Sequence, residues 1–428
     1  MFTAGVKLRR VCTPLRPLGP GAAAQAYFWG MMTRMFLAAG LLLAQAGADA
    51  PPPPPTPLAP AALQVGAARL PQYLPLLRGK RVGLVVNQTS LVGRTHLADT
   101  LKALGVHLTA IFAPEHGFRG EAADGATIAD GRDARTGVPV RSVYGATKKP
   151  TPAMLADVDV LVFDIQDVGT RFYTFISTLH YVMEAAAEQG KQVVVLDRPN
   201  PNGAVVDGPV LEPKHRSFVG LDPLPICHGL TVGELARMLN GEHWLAGGAR
   251  ARLQVVPMAG GYTHATPYAL PVRPSPNLRT ARAVALYPSL CLLEGTDVSV
   301  GRGTSSPFEV AGSPNQPASR PYQFTPRPNA GSTSPPQNGR LCYGLDLRQP
   351  APGQPAEFFT LRYLLDFYQQ STDKPHFFTK YFEQLAGTDS LRAQVVAGRS
   401  EASIRASWEP ALGQYKVARQ KYLLYPEK

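Results

Sequence analysis

Residues 111–121 read IFAPEHGFRGE: an apolar run stops at Pro114, and Glu115, His116 and Arg119 follow at once. A carboxyl at the partly desolvated end of a buried segment suits a proton donor in general acid catalysis. The imidazole and guanidinium beside it could orient it or hold an anionic substrate. A solvated loop carrying charge for solubility would look the same, so the other polar clusters have to decide. The densest is DIQDVGTRFYTF (164–175), with Asp164, Gln166, Asp167, Arg171 and Tyr173. Arg171 suits a two-pronged grip on a carboxylate; the competing expectation is a structural turn in which it pairs with Asp167. DRPNPNG (197–203) adds Asp197 and Arg198, and VNQTS (86–90) adds Asn87 and Gln88. CLLEGTDVSVGRGT (291–304) supplies Glu294 as a second carboxylate and Arg302 between two glycines, with Asn277 of PSPN a weaker candidate.

Short elements must position these groups. Apolar, β-branched runs at 81–87, 108–114, 157–167 and 192–200 alternate with helical spacing at 95–104 and 172–189. Strands that are apolar throughout are buried on both faces, and alternation with helices predicts a parallel α/β sheet with right-handed crossovers. All four strands end in the polar clusters above. In an open parallel sheet the carboxyl ends line the ligand crevice, so the four tips are expected to converge on one pocket. Thr231 and Glu234 form a capping box that opens a helix over 231–240, and 251–258 is a strand. Pro, Gly and Ser then become frequent, and a smaller α+β lobe is expected from 241 onward. Its expected features are a long loop over 311–340, an amphipathic helix over 359–370 and a terminal helix with a tail over 405–425.

The chain has 428 residues, 44% of them hydrophobic and 17% charged, enough for two lobes with a sizeable core. Residues 1–50 read as a leader and secretory signal: Arg34, an apolar run over 36–43, then Ala46-Gly47-Ala48 as a cleavage pattern. The run is too short to anchor in a bilayer, and a Pro-rich spacer follows over 51–62. The protein is therefore expected outside the cytoplasm, secreted or periplasmic. Removing residues 1–50 takes away five basic residues and one acid, leaving +8 of the formal +12. No Lys/Arg cluster concentrates that surplus, which argues against nucleic acid as a partner. Of four cysteines Cys12 lies in the leader; three remain, which is no disulfide framework, though one bridge is possible. No metal-ligand spacing, nucleophile elbow or GxGxxG turn is present, so no metal and no cofactor is expected.

Six blocks in order, GLVVNQTS, FAPEHGFRG, DIQDVGTRFYTF, DRPNPNG, PSPN and LLEGT…GRGT..PFE, resemble a bacterial family first catalogued as a domain of unknown function and associated with exo-β-N-acetylmuramidases. The resemblance covers about residues 63–428. It implies a Rossmann-like catalytic lobe over 63–240, a smaller α+β lobe over 241–428 covering the cleft, and an enzyme that releases terminal N-acetylmuramic acid from peptidoglycan fragments. It carries Glu115 over as catalytic and maps His116, the Asp164–Arg171 block, Tyr173, Asn277, Glu294 and Arg302 to the cleft. Muramic acid bears a lactyl carboxylate, which Arg119, Arg171, Arg198 and Arg302 could grip. Glycoside hydrolysis commonly uses two carboxyls, about 5–5.5 Å apart when configuration is retained and about 6.5–9.5 Å when it is inverted. Beside Glu115 the second could be Glu294, Asp164 or Asp167, and a route assisted by the substrate's N-acetyl group is also open. A non-catalytic muropeptide-binding protein, or an esterase or amidase using the same cleft, are the competing functions.

Overall fold

The apolar runs become strands that are buried along nearly their whole length. The structure is a computed structural model that describes residues 62–120, 129–350 and 359–428. The leader and nearly all of the Pro-rich spacer lie outside the described residues.

After helix α1 (Leu70–Leu77) comes β1 (Val82–Val86), then a small antiparallel ladder of β2 (Leu91–Val92) and β3 (Thr95–His96) that leads into α2 (Leu97–Ala103). Strands β4 (Leu108–Ala113), β5 (Gly131–Arg132), β6 (Pro139–Ser142) and β7 (Val160–Asp164) follow, then α3 (Phe175–Glu188), β8 (Gln192–Leu196), α4 (Val232–Gly241) and β9 (Arg252–Val256). One seven-stranded sheet takes the order β5-β6-β4-β1-β7-β8-β9. Every neighbouring pair is parallel except β5–β6. The six parallel strands, counted along the chain, lie in the order 3-2-1-4-5-6 of dinucleotide-binding sheets. The fold is thus a Rossmann-like α/β lobe.

Side chains alternate across this sheet as the pleat requires. Leu84, Val86, Val162 and Val194 enter one apolar cluster with α1 and α2. Val85, Phe112, Leu161, Phe163 and Val195 enter the other, with α3 and α4. The second cluster runs on without a break into the C-terminal lobe, so the two lobes share a core. The capping box of α4 is present, with Thr231 accepting from the Glu234 backbone and Glu234 from the Thr231 backbone.

A lobe boundary at 240 does not survive. β9 pairs with β8 from Arg252 to Val256, so the first lobe extends to the start of α5 (Ala281–Leu290). The shift to Pro and Gly marks a long connection rather than the end of the sheet. The second lobe holds a one-turn helix at Cys291–Gly295, an antiparallel sheet in the order β10 (Val310–Ser313), β12 (Cys342–Asp346), β11 (Tyr322–Phe324), and helices α6 (Arg362–Gln370), α7 (Phe382–Ala386), α8 (Ser390–Val396) and α9 (Glu401–Gln420). The tail after α9 returns to the first lobe: Tyr425 donates to Asp197 at 2.6 Å, and the Leu424 amide to Glu234 at 2.7 Å. Cys227, Cys291 and Cys342 are buried free thiols, so the possible bridge is absent among them. Among the described residues, no helix is long and apolar enough to cross a membrane.

Candidate active site

Glu115 stands one residue beyond Pro114, at the tip of β4. The Gly117 amide closes a turn onto the Pro114 carbonyl at 3.0 Å. That turn puts His116 at φ +67° and Gly117 at φ +76°. A non-glycine residue held in the left-handed region costs free energy, and such strain clusters at functional sites. Both Glu115 oxygens are held. Tyr144 donates its hydroxyl to Oε1 at 2.7 Å, and Thr174 donates to Oε2 at 2.7 Å. Tyr144 lies just past β6, and Thr174 immediately precedes α3 in the crossover from β7. Three strand exits therefore fix one carboxyl.

This carboxyl borders a cavity of about 420 Å³ between the lobes. The first lobe contributes His116, Tyr144, Phe172–Phe175 and Phe218; the second contributes Glu294, Arg302, Phe308, Tyr381 and the stretch around Ser332–Pro336. Glu294 sits on the one-turn helix at Cys291–Gly295. Arg302 donates to it from Nε and from Nη2, the latter at 3.2 Å, and the Cys291 thiol approaches at 3.5 Å. The Arg302 guanidinium also lies over the Phe308 ring, 5.1 Å from its centroid. Glu115 and Glu294 are the two carboxylates among the described lining residues, and Arg302 is the one permanent cation. Tyr173 lines the wall and donates to the Pro274 carbonyl at 2.8 Å. Burial, with Asp167 and Glu115 adding to it, pushes its phenol well up.

Several expected site residues are not in this cavity. Asp164 is fully buried and ion-paired with Arg198 at 2.6 and 2.9 Å, while Arg198 also donates to the Leu91 carbonyl. Neither can touch a substrate in the cavity. Asn87 accepts from the Thr89 amide and hydroxyl. Gln88 donates to the carbonyls of Arg273 and Pro274, and Gln166 to those of Asp167 and Pro199. Asp167 accepts from the Gly169 amide at 2.8 Å and lies 3.2 Å from His228. Asp197 is buried under Tyr425 and Thr231. Burial first, and Glu234 second, push its carboxyl up to about 7.

The physical reason is common to all of them. The loops leaving β1, β7 and β8 are covered by other segments, so their backbone groups lose water, and these side chains replace it. Arg119 is turned away to Asp133 at 2.8 Å and Asp99 at 3.4 Å. Arg171 is fully buried and donates to four carbonyls, those of Pro209, Leu224, Leu385 and Ala386. It makes neither a grip on substrate nor a pair with Asp167. Asn277 sits between the lining residues Ser275 and Leu278; its Nδ2 donates to the Gly331 carbonyl at 2.9 Å, which ties down the loop leading to Ser332.

Sequence reasoning passed over Tyr144, Thr174, Phe218, Ser332 and Tyr381. The strand-tip rule that singled out Glu115 would have found Tyr144, had PVRS been read as a strand. Thr174 stands inside DIQDVGTRFYTF, where its type and spacing do not mark it. Nothing local marks Phe218 or Tyr381.

Two consecutive family models match the chain: the N-terminal domain of exo-beta-N-acetylmuramidase NamZ over residues 82–282 and its C-terminal domain over 285–425. The peptidoglycan beta-N-acetylmuramidase NamZ of Bacillus subtilis is 41% identical, over 83% of this chain and 89% of that protein. Two crystal structures of DUF1343 family proteins from Bacteroides fragilis are similar. One is 43% identical with a TM-score of 0.78, covering 86% of this chain and 99% of that one; the other is 31% identical with a TM-score of 0.73, covering 85% and 99%. With both halves matched in order, the chain belongs to the NamZ exo-β-N-acetylmuramidase family of glycoside hydrolases.

Proposed function

We propose that this chain removes terminal N-acetylmuramic acid from peptidoglycan fragments, with Glu115 as the general acid. The observation that carries the reading is the placement of Glu115 on the cavity wall, across the lobes from the Glu294–Arg302 pair. Peptidoglycan glycosidase activity comes with the family; the exo mode, the acid and the export are this proposal's own. Glu115 protonates the glycosidic oxygen as its bond to the anomeric carbon breaks. Water adds to that carbon and gives up a proton, so that N-acetylmuramic acid and the free alcohol of the leaving group are the products. The Tyr144 and Thr174 hydroxyls hold the carboxyl in place before and after the transfer. Arg302 binds the lactyl carboxylate, and Glu294 and the Phe308 ring keep its guanidinium planar to that group.

Asp164 and Asp167 drop out as the second group because they do not line the cavity. Export by way of the leader at 31–50 brings the enzyme to its polymer. The test is release of a chromophore from a β-linked N-acetylmuramic acid glycoside, with the N-acetylglucosamine glycoside as control. The proposal expects turnover of the first and little of the second. A Glu115→Gln protein that released N-acetylmuramic acid from a sugar leaving group as fast as the parent would remove Glu115 from the chemistry.

A further inference from the structure

The second lobe puts an aromatic hydroxyl into the cavity that the mechanism above does not use. Tyr381 lines the cavity, is 38% exposed, and stands at the cap of α7. Leu385, one turn on, lines the same cavity. We infer that Tyr381 contacts the bound saccharide through its hydroxyl, and that Arg171 is the residue that positions it. This rests on the glycosidase reading of the cavity.

Two anchors fix α7, one at each end. At the start, Thr379 donates to the Gly295 carbonyl from its amide at 2.9 Å and from its hydroxyl at 3.1 Å, and the Tyr381 amide donates to the Thr379 hydroxyl at 3.2 Å. Gly295 directly follows Glu294. A Cβ on Gly295 would lie 2.5 Å from the Phe382 Cα, so the two backbones touch and glycine is required there. Tyr381 is thereby tied to the segment that carries Glu294. At the other end Arg171 donates from Nη2 to the carbonyls of Leu385 and Ala386, at 2.9 and 2.8 Å. These are orphan carbonyls of the last turn of α7, and a buried cation there also suits the helix dipole.

Gly387 closes the helix at φ +76°, and a Cβ on it would lie 2.5 Å from Arg171 Nη2. Because Arg171 leaves the same β7–α3 connection that supplies Tyr173 and Thr174, one arginine couples the wall around Glu115 to the wall carrying Tyr381. Such an arginine is fully buried because its work is to dock one lobe on the other. Burial, then the nearby Cys291, Glu294 and Glu115, push the Tyr381 phenol up, so it remains a hydrogen-bond donor through neutral pH.

The experiment uses the whole chain and a chromogenic β-N-acetylmuramic acid glycoside. Tyr381→Phe should lower kcat/KM about tenfold, carried by KM, with the melting temperature unchanged, since one hydrogen bond to substrate is lost and the ring stays. Arg171→Lys should lower kcat/KM in the parent but add little in the Tyr381→Phe background, because two residues acting through one contact are not additive. If Arg171→Lys does not fold, Thr379→Val removes the hydroxyl contacts of the other anchor at an exposed position, leaves its amide bond to Gly295, and should show the same dependence on Tyr381. An active parent with Tyr381→Phe within twofold of it overturns the contact. Equal losses in both backgrounds for Arg171→Lys or Thr379→Val overturn the positioning. A parent that releases no sugar overturns the glycosidase reading, and this inference with it.

Discussion

Replacing Asp164 by Asn separates a structural from a catalytic carboxylate. Asp164 is 0% exposed and Arg198 is 3% exposed, and two hydrogen bonds join them. Asn keeps one acceptor oxygen but leaves the guanidinium with no counter-charge in a site closed to water. Removing one partner of a buried ion pair costs about 3–5 kcal/mol, a large part of the about 5–15 kcal/mol by which domains are stable. With a urea dependence of at least about 3 kcal/mol/M for a chain of this size, the unfolding midpoint should fall by roughly 1 M. The double replacement Asp164→Leu with Arg198→Met should recover much of that loss, because no charge is left stranded. Glycoside release, measured well below the unfolding transition, should stay within about threefold of the parent for the single variant. An unmoved urea midpoint with activity down a hundredfold would refute the reasoning and return Asp164 to the chemistry.

Asp197 should make stability depend on pH. Its carboxyl moves from 3.8 up to about 7 in the folded protein, so the folded state holds a proton that the unfolded chain gives up. That contribution is fully present below pH about 4 and is lost as pH rises through about 7, at most roughly 4 kcal/mol. Melting temperatures between pH 5 and 8 should therefore fall with pH, and Asp197→Asn should flatten the slope. Arg302→Ala should lower kcat/KM for the muramic acid glycoside about 10- to 100-fold, while affecting the N-acetylglucosamine glycoside far less, as expected for loss of a charge-assisted contact to the lactyl group. Gly387→Ala should cost about 1–3 kcal/mol in urea unfolding, because its left-handed backbone and the contact with Arg171 both oppose a Cβ.

The central strands were legible because VGLVV, LTAIFA, VLVFD and QVVVL are almost wholly apolar and each is followed by a helix or a turn signal. Strand β6 was not, because Pro139-Val-Arg-Ser is short, half-buried and carries a charge; with it went Tyr144, which holds the acid. The polar strand tips were legible as a group but not individually. Asp164 ends one parallel strand and Glu115 lies just past another, yet one faces its own covered loops and the other a cavity, and only the packing above them decides. Arg171 shows the same ambiguity from the other side. An arginine in a polar block can bind an anion or dock a lobe, and its four carbonyl partners include two that lie more than two hundred residues away. Tyr381 had no local mark, since its place depends on Gly295 and Arg171, both remote from it in the chain.

The most direct test of the account compares leaving groups in Glu115→Gln. A general acid matters most when the departing oxygen needs a proton. With a sugar as leaving group, the variant should lose about 10²- to 10⁴-fold in kcat/KM; with an activated aryl leaving group that departs as a stable anion, it should keep most of the parent's rate. Equal losses for both leaving groups, or no loss for either, would contradict the assignment of the proton to Glu115.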